Sequence, residues 1–389
     1  MRFGILGGGQ LGRMLWEASC QLVMDLRPSP VYNDKAICPA SHAGATVVVG
    51  NVSETEKLKN FLNTVDGFSI ESEFLDVDAI ENAWGTGRKF PAPSFAGLRV
   101  AQDKLEQKKF FTQNSLPTSQ FTEVTAVELD SPEHLTTLHK DWQGLVLKKA
   151  RMGYDGKGNM ALPPGTTLNF QAIRTFCESA YKTGSRVYAE QFVPFAKEVA
   201  LVSCQSFSGD FGHYPLIETQ QKKGVCFLAF TALNEEANEK KAAEIAYVIA
   251  SKLKMLGTFA VEFFVTEKGE LLVNEMAPRV HNSGHFTQRA ARSSQFQMHL
   301  KSYWQEKFDK EDFDCAKAFA MVNLLGPEGL HGTISKPLSS RIYWYDKEMT
   351  SPGRKLGHMI GSGMSAGELP QIIDSLKAAE KQWQESLKP

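Results

Sequence analysis

The apolar positions along this chain change period several times, and each change marks an element. Phe3–Leu6 is a short continuous apolar run ending in glycine, as expected of a strand buried on both faces. Residues 11–21 then follow a helical period, 30–33 and 45–49 return to strand character, 54–64 is helical, and 67–71 is a fourth strand. Strands alternating with helices predict an open parallel sheet, an α/β arrangement. The proline-rich Lys89-Phe90-Pro91-Ala92-Pro93 interrupts it. The next region predicts a helix over 102–114 and a strand over 145–149 that runs into a glycine-rich loop, 153–158. A helix over 169–182, strands over 186–190 and 198–203, and a long helix over 235–254 follow, an α+β pattern. Beyond about residue 305, short strands near 318–324 and 340–344 precede a charged helix from Leu369 onward.

The most informative stretch is 259–285. Two apolar runs, 259–265 and 271–273, flank the turn signal Lys268-Gly269, which predicts a β-hairpin. With these two as turn residues, Glu267 pairs with Glu270, Val265 with Leu272, and Glu262 falls opposite Glu275. Opposed residues have Cβ atoms about 5 Å apart, where like charges repel. A hard divalent cation compensates such a pair, and magnesium is usually held by one or two carboxylates plus substrate phosphates. Asn274 adds a further oxygen beside Glu275. The alternative is a hairpin whose acids face water.

Length and charge narrow the class. A chain of 389 residues has room for two or three domains. Its 43 Lys and Arg balance 44 Asp and Glu, so no basic field favours nucleic acid. The chain opens directly on a strand without a signal-peptide pattern, and no apolar run reaches membrane-spanning length. Six scattered cysteines without any CxxC fit reduced thiols of a cytoplasmic enzyme.

Several motifs carry candidate chemistry. GGGQLG at 7–12 satisfies GxGxxG, and Asp34 follows at the spacing of a dinucleotide fold's ribose acid. Such a turn requires only an anion at a helix N-terminus, which a sugar phosphate also supplies. Gly153-Tyr154-Asp155-Gly156-Lys157-Gly158 is not a P-loop, yet its glycines and lysine suit closure over phosphates after a strand carrying Lys148 and Lys149. Lys104 and Lys108 share one helical face, a pattern usual for solvated surface. Residues 188–194 cross from strand to linker and suit an adenine ring, with Glu198 opening the next strand. Lys347, Arg354 and Lys355 cluster positive charge in a loop-rich stretch and suit a phosphate monoester. His281 and His285 lie in a loop without a third nitrogen or sulfur ligand nearby, which argues against zinc.

In this order, GGGQLGRM, QDKLEQK, KKARMGYDGKG, YAEQFVPFAKEVAL, FAVEFFV and NEMAPRVHNSGH resemble the ATP-grasp enzymes, and among them the 5-(carboxyamino)imidazole ribonucleotide synthases of purine biosynthesis. The resemblance runs from Phe3 to about His358. It implies a pre-ATP-grasp α/β domain at 1–92, an ATP-grasp domain at 93–305 with a lid at about 115–190, and a small C-terminal domain at 306–389. It implies that Lys104 and Lys148 meet ATP phosphates, that 153–159 (Gly153, Tyr154, Asp155, Gly156, Lys157, Gly158, Asn159) forms the phosphate lid, that Glu190, Gln191, Phe192 and Val193 hold adenine, and that Glu198 holds the ribose. Gln221 is a further ATP contact, and Glu262, Glu275 and Asn274 hold magnesium, or manganese in its place. The aminoimidazole nucleotide would meet Gln10, Leu11, Tyr154 and Asn282, with Glu71, preferred to Glu73, at its ribose and Lys347, Arg354 and Lys355 at its phosphate. Asp155, Lys157, Arg279 and His281 would surround the reacting centre.

The implied reaction joins bicarbonate to 5-aminoimidazole ribonucleotide through carboxyphosphate at the expense of ATP, and the implied assembly is a homodimer. Lys157 stands where arginine is frequent, Gln221 where histidine often occurs and Thr219 where asparagine is common, which bears on the ATP site's fine geometry. The rival readings are formate-dependent glycinamide ribonucleotide transformylase, biotin carboxylase, a dinucleotide-dependent oxidoreductase and a non-catalytic nucleotide-binding protein. HNSGH and Gln10 favour the aminoimidazole enzyme.

Overall fold

The computed structural model describes residues 1–22, 26–88, 92–129, 132–151, 153, 158–337 and 339–387. The N-terminal alternation folds as expected. Strands Phe3–Leu6, Val31–Asn33, Val47–Val49 and Gly67–Ile70 form one parallel sheet in which the first strand lies between the second and the fourth. Phe3–Leu6 and Gly67–Ile70 are buried along their whole length, which is why they read as unbroken apolar runs. Leu6 and Ile70 are register partners, so the glycine turn after Leu6 and Glu71 after Ile70 emerge side by side at the strands' C-terminal ends. This is where open α/β sheets bind ligands.

The middle and end of the chain build two antiparallel sheets. A four-stranded one joins Phe121–Val124, Val187–Gln191, Leu145–Lys149 and Asn159–Leu162. A nine-stranded one carries the hairpin Gly257–Thr266 and Leu271–Ala277 at one edge, beside Phe195–Gln205. It continues through Ile217–Lys222 and Val225–Thr231 into Ala318–Leu325, Lys355–Gly363 and Ile342–Trp344. Helix Glu236–Leu253 lays Ala242, Ala246, Ile249 and Ala250 on the apolar underside of that sheet, against Phe259, Val261 and Phe263.

The structure corrects two local expectations and adds a helix. The helix expected over 102–114 begins at Lys104, because Asp103 caps it by accepting the N–H groups of Leu105 and Glu106 at 3.1 and 3.2 Å. A separate helix, Phe95–Ala101, precedes it, capped by Ser94. Residues expected as a basic loop after Gly353 instead enter the strand Lys355–Gly363, which buries His358. All six cysteines are free thiols. Among the described residues no helix is long and apolar enough to cross a membrane.

Candidate active site

The hairpin opposes Glu262 and Glu275, as the sequence suggests, but by a different register. Val265 pairs with Leu271 rather than Leu272, so the loop is three residues, with Gly269 at φ +78°. That shift alone would misalign the acids by one. Phe263 then pairs with Val273 while Glu262 pairs with Glu275, leaving Asn274 as a bulge that restores the alignment. Burial along Leu271–Ala277 alternates until Asn274, where Asn274 and Glu275 are both half-buried in succession. The bulge therefore turns both side chains to the face opposite the core. Glu198, a neighbour of Phe264 across the next strand, joins them: burial pushes its carboxyl up to about 6, Gln221 opposes this with a hydrogen bond, and Glu262 and Glu275 add to the rise. Glu198 and Thr219 are register partners.

Positive charge meets this acidic face from the helix Lys104–Gln113. Lys104 pairs directly with Glu275. One turn on, Lys108 is only 1% exposed and its ammonium lies 2.6 Å from Glu190, itself 2% exposed. Lys108 also donates to Thr118 Oγ1 and Ser119 Oγ, both at 2.8 Å, and Ser119 donates to Glu190. Lys148 reaches the other Glu190 oxygen at 2.5 Å. Burial alone would raise the Glu190 carboxyl, yet the two lysines hold it down at about 2. Burial and the neighbouring Lys148 lower Lys108, with Glu190 partly offsetting them. The surface reading of the two-lysine helical face is thus overturned. Lys108 has a structural part that its weak sequence signal concealed, because i, i+4 lysines look alike whether the helix face is wet or buried.

The Glu190 side chain is occupied by lysines, so of the residues expected to hold adenine only the segment that follows it has unoccupied side chains or backbone to offer. There the Gln191 N–H donates to Gln120 O at 2.9 Å and the Phe192 N–H to Gly144 O at 3.1 Å, and Gln191, Phe192 and Val193 are half-buried. Gly153 and Gly158 bracket the glycine-rich loop: a Cβ on Gly158 would lie 3.4 Å from Gly153 Cα, and the Lys149 N–H donates to Gly158 O at 2.9 Å. Asn159 pairs with Lys148 across the hairpin. Tyr154, Asp155, Gly156 and Lys157 lie outside the described residues.

On the other side of the site, the anion in the glycine turn is the protein's own. Gly12 N–H donates to Glu71 Oε2 at 2.7 Å, and a Cβ on Gly9 would lie 2.2 Å from Glu71 Oε1. Burial raises the Glu71 carboxyl, with the Gly12 N–H, Arg279 and Lys347 opposing. A pyrophosphate therefore finds this turn filled, and Asp34 is exposed, which removes the geometric basis for a dinucleotide site. Gln10 and Leu11 open the helix Gln10–Gln21 beside this carboxylate. Arg13 on that helix pairs with Asp346, and His42 Nδ1 lies 3.1 Å from Asp346 O, docking the 345–347 loop. Lys347 is thereby brought to Glu71, and it also donates to Lys355 O at 2.7 Å. The Arg354 guanidinium instead donates to Met349 O at 2.8 Å in its own exposed turn.

Between the two sides runs the segment after Leu271–Ala277. Arg279 forks Glu73 at 2.5 and 3.0 Å. His281 Nε2 lies 3.1 Å from Glu262 Oε1. His281 Nδ1 accepts from the Ser283 N–H, so in the neutral ring the proton sits on Nε2, facing the carboxylate. Asn282 exchanges amide hydrogen bonds with Asn323, at 3.0 and 2.7 Å, so its side chain already has a protein partner at each end.

An acidic sheet face met directly by lysines, with a buried carboxylate at the C-terminal end of a parallel sheet close by, suits a nucleoside triphosphate and a second small substrate. Three family models match in sequence order: a ribonucleotide synthetase preATP-grasp domain over residues 1–102, an ATP-grasp domain over 109–296, and a phosphoribosylaminoimidazole carboxylase C-terminal domain over 320–371. Among solved structures, a carboxyaminoimidazole ribonucleotide synthase from Aspergillus clavatus complexed with ATP is 26% identical, with a TM-score of 0.83 over 98% of each chain. The N5-carboxyaminoimidazole ribonucleotide synthetase from Thermus thermophilus is 30% identical, with a TM-score of 0.79 over 97% of this chain and 98% of that one. The N5-carboxyaminoimidazole ribonucleotide synthase of Synechococcus elongatus is 33% identical across 96% of this chain and 93% of its own length, and on that near-complete overlap the chain belongs to the N5-carboxyaminoimidazole ribonucleotide synthase family of ATP-grasp enzymes.

Proposed function

We propose that this chain carboxylates the exocyclic amine of 5-aminoimidazole ribonucleotide, using ATP and bicarbonate, to give N5-carboxyaminoimidazole ribonucleotide, ADP and phosphate in purine biosynthesis. The observation that carries the reading is the opposition of Glu262, Glu275 and Asn274 on one sheet face to Lys104 and the Lys108–Glu190–Lys148 group. Support also comes from a relative, the Aspergillus clavatus N5-carboxyaminoimidazole synthase, which is described in complex with ADP and 5-aminoimidazole ribonucleotide and is 25% identical.

The donor set fits magnesium. Glu262, Glu275 and Asn274 offer hard oxygens on one face, and Glu262 and Glu275 add to the rise that burial imposes on Glu198. Among the described residues no three His, Cys, Asp or Glu side chains form a metal cage, so an ion held here would need phosphate and water oxygens to complete its shell. When bound, magnesium would neutralise phosphate charge as the terminal phosphoryl group moves.

A bicarbonate oxygen attacks the γ-phosphorus, the bond to the β-phosphate oxygen breaks, and carboxyphosphate and ADP form. Carboxyphosphate then releases phosphate and carbon dioxide, which the amine captures with loss of a proton. Lys104 and Lys148 meet the triphosphate as charges, so the protein's contribution is positioning and neutralisation. Glu71, with Gln10 and Leu11, faces the nucleotide's ribose, and Lys347, Lys355 and Arg354 serve its phosphate. Arg279 and His281 stand at the reacting centre, with Asp155 and Lys157 supplied by the loop. His281 and Asp155 are the proposed handlers of the amine proton. The lid excludes water from carboxyphosphate. The working domain division is 1–92, 93–305 and 306–389, the assembly a homodimer and the location cytoplasmic.

The test measures ADP release with magnesium-ATP and bicarbonate, with and without 5-aminoimidazole ribonucleotide, and incorporation of labelled bicarbonate into the nucleotide. Stimulation with matching incorporation is expected. ADP release indifferent to the nucleotide, or dependent on formate, would sink the reading.

A further inference from the structure

Gln295 opens the helix Gln295–Lys301 and is completely buried, yet every polar atom of its side chain is used on the histidine turn. Its Oε1 accepts the His281 N–H at 2.9 Å. Its Nε2 donates to the His281 carbonyl at 2.7 Å and to His285 Nδ1 at 3.1 Å. One amide thus does for His281 what a neighbouring strand does for a paired residue, just past the strand Leu271–Ala277, where the ladder has ended. The amide orientation is unambiguous, since one end faces an N–H and the other a carbonyl.

The surroundings are built for this contact. Thr287 Oγ1 accepts the Gln295 N–H at 2.9 Å, and Thr258 Oγ1 donates to the Gln295 carbonyl at 2.8 Å. A Cβ on Gly284 would lie 2.6 Å from Gln295 Oε1, so the glycine of the turn is what admits the amide. Because Nε2 can only donate, His285 Nδ1 accepts, and the His285 proton resides on Nε2. Burial, reinforced by His358, holds His285 well below the usual imidazole range, so the ring is neutral.

We infer that Gln295 is a positioning residue: its side-chain amide fixes the backbone of His281, and with it the imidazole's placement against Glu262, and sets His285 in the Nε2–H tautomer. The inference rests on the proposed function only in taking His281 as part of the reacting centre.

Two measurements on the full-length protein decide it. Nitrogen-15 histidine spectra of the wild type are expected to place the His285 proton on Nε2, and a proton on Nδ1 overturns the clamp whatever the protein catalyses. In kinetics, Gln295→Leu removes both hydrogen bonds to the His281 backbone and the one to His285. Its kcat for carboxylated nucleotide should fall about tenfold or more, with KM for ATP within about twofold of wild type. In Gln295→Glu, burial against two acceptors favours the protonated carboxyl, which keeps one donor and one acceptor for the turn. Its kcat should therefore exceed that of Gln295→Leu by at least about threefold. A glutamine that merely supports the fold would lower melting temperature in both variants without that difference in kcat. Wild-type kcat in Gln295→Leu, or an equal loss of kcat in the two variants, refutes the inference. Should Gln295→Glu fail to fold, the wild-type tautomer and Gln295→Leu still decide. A wild type whose ADP release ignores the aminoimidazole nucleotide counts against the functional reading alone, and the spectra still judge the clamp.

Discussion

Replacing Lys108 by methionine removes one cation from a buried group of three charges while keeping most of the side chain's apolar length. Wild-type Glu190 is held at about 2 against an ordinary 4.5. That displacement stabilises the folded chain, and the burial that lowers the Lys108 ammonium offsets part of it. Because the folded-state value is depressed, this contribution is complete above the unfolded value near 4.5 and is lost as pH falls through about 2. Removing one partner of a buried pair usually costs about 3–5 kcal/mol. Lys148 and Ser119 remain on Glu190 in the variant, so the lower end, about 3 kcal/mol, is expected. Lys148 also becomes the sole cation on Glu190, drawing it from the triphosphate, and KM for ATP should rise about tenfold, equivalent to about 1.4 kcal/mol. Urea unfolding at pH 7 and ADP-release kinetics read both effects. The double variant Lys108→Met/Glu190→Leu supplies the control. With no carboxylate left unbalanced, it should recover at least about 1 kcal/mol over the single variant. A single variant within about 1 kcal/mol of wild type, or a double variant less stable than the single one, would refute the reasoning.

Other residues give independent checks. Glu198 titrates at about 6 in the folded chain, raised from 4.5, so the nucleotide-free protein should lose about 2 kcal/mol of stability between those pH values as the acid ionises among its neighbours. Glu198→Gln should flatten that segment of the stability profile in urea titrations, and an unchanged slope counts against the carboxylate cluster. Gly12→Ala places a Cβ 2.2 Å from Gly7 O and 2.7 Å from Glu71 Oε2, so calorimetry should register a loss of about 1–3 kcal/mol, and a neutral substitution would contradict the close approach. Arg13→Ala releases Asp346 and the loop carrying Lys347, so KM for the aminoimidazole nucleotide should rise several-fold, on the order of 1 kcal/mol, with KM for ATP unmoved. A parallel rise in both constants would show that the tie does not act on one substrate pocket.

Much of this molecule was legible in one dimension. The parallel N-terminal sheet follows from short apolar runs alternating with helical periods, because strands buried on both faces and amphipathic helices leave different periods. The convergence of Glu262 and Glu275 was also legible, though by a route in which two features cancel. A three-residue loop displaces the register by one, and the Asn274 bulge returns it. Hydrophobic period alone does not locate a bulge, whose position is settled by what each face must pack against. Tertiary structure alone decided that Lys108 is buried on Glu190, that the glycine turn encloses Glu71, and that Gln295 grips a turn 14 residues before it. Each is a contact between groups from separate elements. Local propensity registers only neighbours along the chain, whereas these partners meet because sheets and helices have already packed and left polar groups that needed one another.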